Sequence, residues 1–102
     1  MATNEQEQNI QIELTEETAQ GTYSNLAIIA HSSSEFILDF VRVVPGLPKA
    51  KVQSRVILTP EHAKRLLMAL NENIVKYERQ FGGITLPKNQ VPLVPFGKPG
   101  EA

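Results

Sequence analysis

Residues 35–44 read EFILDFVRVV. In the strand this run predicts, Phe36, Leu38 and Phe40 share one face and Ile37, Val41 and Val43 the other, with Asp39 among the second set. TYSNLAIIAH, residues 22–31, repeats the pattern: Leu26 and Ile28 point one way, Ala27 and Ile29 the other. Open antiparallel sheets normally keep one polar face. Strands that are apolar on both sides require two covering layers, and this requirement constrains the fold more than any other feature of the chain.

One layer is encoded directly after the strands. In VILTPEHAKRLL, residues 56–67, Thr59 has the chemistry of an N-cap and Pro60 suits the first helical position. Glu61 then falls near the positive end of the helix dipole. The helix is expected from Pro60 to Phe81, ended by Gly82 and Gly83. Its apolar positions, Ala63, Leu67, Leu70, Ile74, Tyr77 and Phe81, step by 4, 3, 4, 3 and 4, and Leu66 widens the stripe. Twenty-two residues at about 1.5 Å each span roughly 33 Å, enough to cover a ten-residue strand end to end.

Upstream, IQIEL at 10–14 alternates like a half-exposed first strand. TEETAQG at 15–21 is a polar connection, SSS at 32–34 is turn material, and PGLP at 45–48 breaks the sheet. KAKVQSRVIL at 49–58 predicts a fourth strand, with Ala50, Val52, Ser54, Val56 and Leu58 inward and Lys51, Gln53 and Arg55 outward. The expected fold class is α+β, a four-stranded antiparallel meander followed by one long C-terminal helix on one sheet face (ββββα). Residues 1–8 read as a disordered lead-in, 9–82 as the single domain, and 83–102 as a proline-rich extended tail.

A core of this size is marginal, and with no cysteine no disulfide reinforces it. The second sheet face therefore needs a cover: a second copy, the returning tail, or a foreign partner. A symmetric homodimer is favoured, since two-fold pairing is the commonest solution for soluble chains. Ala27, Ile29, Ile37, Val41 and Val43 are the candidate dimer face.

Charge is unevenly placed around a formal net of −1. Residues 1–21 hold Glu5, Glu7, Glu13, Glu16 and Glu17 and no base; residues 42–65 hold six bases against Glu61 alone. Arg42, Lys49, Lys51 and Arg55 form a candidate basic partner surface. Nucleic acid is the alternative partner there, although stacking aromatics are scarce. The proline-rich tail is a candidate docking arm for another protein.

No catalytic, metal or cofactor-binding residues are assigned. The Glu61-His62 pair reads as a helix start. His31 and His62 lie in no ligand spacing, and the absence of cysteine removes thiolate sites and nucleophiles. Asp39, an acid inside an apolar strand, is expected to pair with a nearby base, such as one on an adjoining strand, or to sit at a subunit boundary, rather than to catalyse. No small-molecule substrate is evident, and no apolar run approaches the roughly 20 residues of a membrane helix. The N-terminus has neither the basic stretch nor the apolar segment of a secretory signal, so a cytoplasmic location is expected.

The stretches YSNLAIIAHS, EFILDF, PGLPKAKVQSRVILTPEHAKRLL and YERQFG lie within residues 21–82. Together they resemble the domain-of-unknown-function 3467 family of small bacterial proteins. The resemblance implies the domain limits and a small bacterial cytoplasmic protein. It brings no activity, cofactor or catalytic residue to these positions.

Overall fold

The structure, a computed structural model, describes residues 9–87. Strands β1 (Leu26–His31), β2 (Phe36–Arg42) and β3 (Lys51–Leu58) form an antiparallel sheet in the order β1-β2-β3. A single-turn helix, α1 (Glu16–Ala19), precedes them, and the long helix α2 (Pro60–Phe81) follows. The fold is thus α+β, with three strands in place of the expected four.

Residues 10–14 form no strand, and Ile10, Ile12 and Leu14 stand in solvent. Alternation prepares a segment to be half-buried, but a strand exists only where a neighbour satisfies its backbone. Local chemistry turns this segment elsewhere. The Thr15 hydroxyl accepts the Thr18 N–H at 3.2 Å and starts α1, with Glu16 and Glu17 in its first turn. Gly21, at φ +81°, then redirects the chain in a conformation that favours glycine.

The β1 to β2 hairpin closes as its serines suggest: the Ser32 N–H donates to the Glu35 carbonyl at 2.9 Å, and the Ser34 N–H to the Ser32 hydroxyl at 3.2 Å. At the other end of the ladder, Asn25 acts as a side-chain rung. Its amide oxygen accepts the Val43 N–H at 2.8 Å, and its amide nitrogen donates to the Val43 carbonyl at 3.1 Å. The pairing of β1 and β2 is therefore carried past the last regular strand residue.

Residues directly opposite in an antiparallel pair share a face. Ala27 opposes Phe40 and Ile29 opposes Leu38, while Leu26 opposes Val41 and Ile28 opposes Asp39. This register divides the candidate dimer face. Ala27 and Ile29 lie with Phe36, Leu38 and Phe40; Ile37 and Val41 lie on the reverse with Leu26, Ile28 and Asp39. Ala27 and Ile29 are exposed, Ile37 and Val43 half-buried, and Val41 buried. The five do not make one patch, because within-strand alternation carries no information on which residue of the neighbour lies opposite.

A second correction concerns β3. Phe40 pairs with Ser54 and Val41 with Val52, which leaves Gln53 without an opposite residue. This β-bulge moves Val52 away from the row of Ser54, Val56 and Leu58 to the face of Val41. The uninterrupted inward row expected from Ala50 to Leu58 is broken there.

Helix α2 has the bounds its end signals specify. The Thr59 hydroxyl accepts the His62 N–H at 3.1 Å, and Gly82, at φ +98°, donates its N–H to the Glu78 carbonyl at 2.9 Å. Its packing departs from expectation. No residue of α2 is buried, and its approach to the sheet is slight, confined chiefly to β3, the strand it directly follows. The helix does not cover a sheet face end to end. The reason is visible at the junction: Thr59 is the only residue between β3 and α2, too short a link to fold a rod back over the strands that lead into it. The buried centre is accordingly small, comprising Leu38 at 8 %, Val41 at 3 % and Asp39 at 2 % relative exposure. All three belong to β2, the strand with a neighbour on each side.

Candidate functional site

Three features stand out on this frame: an ion pair with one buried partner, a basic depression and an uncovered helix face. The ion pair comes from register. Asp39 and Arg55 are opposite residues of β2 and β3. The Arg55 Nε donates to Asp39 Oδ1 at 2.7 Å and its Nη2 to Oδ2 at 2.8 Å. This bidentate geometry uses both carboxylate oxygens. The hydrogen bonds from Arg55 lower the Asp39 pKa, burial works against them, and the guanidinium charge adds to the lowering. An ionised, doubly bonded carboxylate is a poor general acid or base near neutral pH. Its geometry suits holding two strands in register.

That pair also alters the candidate basic surface. Arg55 lies on the face of Asp39 and Val41, whereas Arg42 and Lys51 oppose each other on the reverse face. Arg55 is thus separated from the other bases and committed to Asp39. Arg42, Lys49 and Lys51 do come together, lining an open depression of about 260 Å³ with Val44, Leu47 and Gln53. No acid lines it. Arg42 also borders a neighbouring hollow of about 450 Å³ with Tyr23, Asn25 and Pro45, and its guanidinium stands 5.8 Å from the Tyr23 ring centroid, within cation–π range. Like charges directly opposite across two strands are unfavourable. Arg42 facing Lys51 is a local cost that an anion seated between them would relieve.

Both histidines have local structural explanations. His31 opposes Phe36 and stacks on it, with centroids 5.3 Å apart and planes 26° from parallel. His62 supplies the backbone N–H that Thr59 caps. Beside it, Glu61 accepts from Arg65 Nη2 at 2.6 Å, a pair four residues apart on the helix surface that lowers the Glu61 pKa. Among the described residues no three His, Cys, Asp or Glu side chains are grouped as a metal site. No helix among them is long and apolar enough to cross a membrane.

The third feature is the largest. Leu67 is 65 % exposed, Leu70 55 % and Phe81 65 %, and Leu66, Ile74 and Tyr77 are also open to solvent. Tyr77 and Phe81, one turn apart, pack ring against ring at 4.9 Å and extend the apolar row to the end of the helix. Such a contiguous stripe exceeds the scattered apolar side chains of ordinary monomer surfaces. Candidate elements in residues 1–8 and 88–102, including most of the proline-rich docking arm, lie outside the described residues.

Asn25 and Gln53 were not visible as structural residues in the sequence. Asn25 offers only the general signal that asparagine side chains mimic backbone groups at strand ends. Gln53 offers none, since a bulge is a property of two strands together.

These features define a class: a small α+β chain whose three-stranded meander runs without a loop into one long, uncovered amphipathic helix. Within that class the chain belongs to the family described as "Protein of unknown function (DUF3467)", whose model matches residues 1–86. No curated protein and no solved structure matches it.

Proposed function

We propose that the protein is a non-enzymatic homodimeric interaction module of the bacterial cytoplasm, held together chiefly by the stripe on α2. The observation that carries this reading is the helix without a buried residue, open along its apolar side. Leu67, Leu70, Ile74, Tyr77 and Phe81 would each gain on the order of 1 kcal/mol when covered, so the stripe contributes several kcal/mol per subunit. Leu38 and Val41 are the buried apolar side chains of the single chain, a small core for a chain of this length. A second copy is the occupant because the need arises from the fold itself and must be met wherever the chain is made. Dimerisation would leave the end of the sheet away from Thr59, with its basic depression beside the β2–β3 connection, to engage other proteins. Sedimentation equilibrium at micromolar concentration tests the reading: a dimer is expected, and a monomer at all concentrations would overturn it.

One observation favours a second reading, binding of nucleic acid or another polyanion. Arg42, Lys49 and Lys51 converge on one depression that no acid lines. Three phosphate contacts would give a log–log salt slope of about −3 for duplex DNA. Fluorescence anisotropy with DNA and RNA oligomers at low and moderate salt measures it. Absence of binding at low salt, or binding insensitive to salt, removes this reading.

A further inference from the structure

The stripe on α2 is symmetric about its own middle. Ala63 and Phe81 lie equally far on either side of Glu72; so do Leu67 and Tyr77, and Leu70 and Ile74. If a copy of the helix is turned end for end about a two-fold axis at the level of Glu72, every stripe residue meets another stripe residue. We infer that two copies of α2 pair in this antiparallel manner, with Ala63 against the partner's Phe81, Leu67 against the partner's Tyr77 and Leu70 against the partner's Ile74. The inference rests on the homodimer reading and specifies its geometry.

Two independent properties select this arrangement over a parallel one. The first is volume. Antiparallel pairing sets the smallest stripe residue against one of the largest and keeps the layers similar in size, as close packing requires. Parallel pairing sets each residue against itself, with Phe81 on Phe81 at one end and Ala63 on Ala63 at the other. The second is charge. Lys64, Asn71 and Glu78 recur every seven residues along one flank of the stripe. In the antiparallel pair this flank faces its own copy reversed, so Lys64 meets the partner's Glu78 twice per dimer and Asn71 meets the partner's Asn71 at the axis. The opposite flank, Leu66, Asn73 and Gln80, is uncharged and places no like charges together. Parallel pairing would face one flank with the other and leave Lys64 and Glu78 unmatched.

Glu78 is also held in place for this role. The Ile84 N–H donates to its Oε2 at 2.9 Å, so the segment after Gly82 fixes the carboxylate at the edge of the stripe. Among the described residues Lys64 has no ion pair within its own chain.

The absence of native cysteine makes single-cysteine variants direct reporters. Asn73→Cys lies beside the proposed axis, and a short bismaleimide is expected to join two copies there. Leu67→Cys positions would lie about 15 Å apart along the antiparallel pair and are not expected to join; in a parallel pair they would face each other and join readily. A charge exchange supplies the second test. Lys64→Glu and Glu78→Lys should each weaken the dimer several-fold, and the double variant should restore it. A dimer that crosslinks through Leu67→Cys, or fails to crosslink through Asn73→Cys, overturns the antiparallel pairing while the homodimer stands. Failure of the double variant to rescue overturns the proposed charge match. A wild-type chain that is monomeric throughout overturns both the pairing and the homodimer.

Discussion

Strand β2 and helix α2 both carry rows of apolar side chains, yet they meet opposite surroundings. β2 has a neighbour on each edge, and it contains the buried centre: Leu38, Asp39 and Val41. α2 leaves the sheet through one residue, Thr59, and buries nothing. The strand's apolar residues stabilise the single chain, whereas the helix's stand open to solvent. Apolar content alone does not distinguish these roles. The distinction comes from whether the connection lets an element return to its own sheet.

The sharpest way to break the comparison is to charge the middle of the stripe. Leu70→Lys should convert the proposed dimer to monomer. Its layer with the partner's Ile74 occurs twice, and at about 2 kcal/mol per central contact the dissociation constant should rise on the order of a thousandfold. Analytical ultracentrifugation across a dilution series reads this directly. An unaffected dimer would mean that the stripe is not the interface.

The next largest effect lies in β2 and is asymmetric. Arg55→Ala leaves the Asp39 carboxylate buried without its partner, whereas Asp39→Asn leaves Arg55, whose side chain is well exposed, to be solvated. Denaturant unfolding should therefore show Arg55→Ala as the more damaging substitution. The same pair makes stability depend on pH. The folded-state pKa of Asp39 is lowered, so its contribution is present above the unfolded value of about 3.9 and lost as pH falls through the folded value. Unfolding midpoints between pH 3 and 6, on the acid side of neutrality, should show this loss in the wild type and a smaller one in Asp39→Asn.

Two smaller effects sharpen the picture at the margins. Thr59→Ala removes the cap on the His62 N–H and should cost about 1 kcal/mol by chemical denaturation. Lys51→Glu replaces the base opposite Arg42 with an acid and should stabilise the sheet by about 0.2–1 kcal/mol. Loss of stability instead would show that Lys51 makes a contact more valuable than its repulsion from Arg42.

The helix was legible in the sequence to the residue, because Thr59, Pro60, Gly82 and Gly83 are local signals whose physics is complete within a few positions. The three strands at 26–58 were legible in kind and order, but they are shorter than the apolar runs: β1 starts at Leu26 rather than Thr22, β2 stops at Arg42 and β3 starts at Lys51. What depends on a second segment was not. Ile10, Ile12 and Leu14 have the spacing of a strand, but spacing cannot state whether an edge will accept it. The division of Ala27 and Ile29 from Ile37 and Val41 depends on register, and the displacement of Val52 depends on the bulge at Gln53. The candidate site divided along the same line. Asp39 could be expected to find a nearby base or a subunit boundary. That Arg55 would be that base, leaving Arg42, Lys49 and Lys51 as the remaining cluster, followed only from the pairing of β2 with β3.

The single-residue link at Thr59 has a mechanical consequence. With no slack between strand and rod, the direction of the rod is inherited from the strand, so a small rotation of the rod carries the sheet with it as a lever carries its load. In a reversed pair of rods the two sheets would sit near opposite tips, roughly 33 Å apart by the length of 22 helical residues. The two sheets would then be set like the jaws of a caliper, with a gauge fixed by helix length.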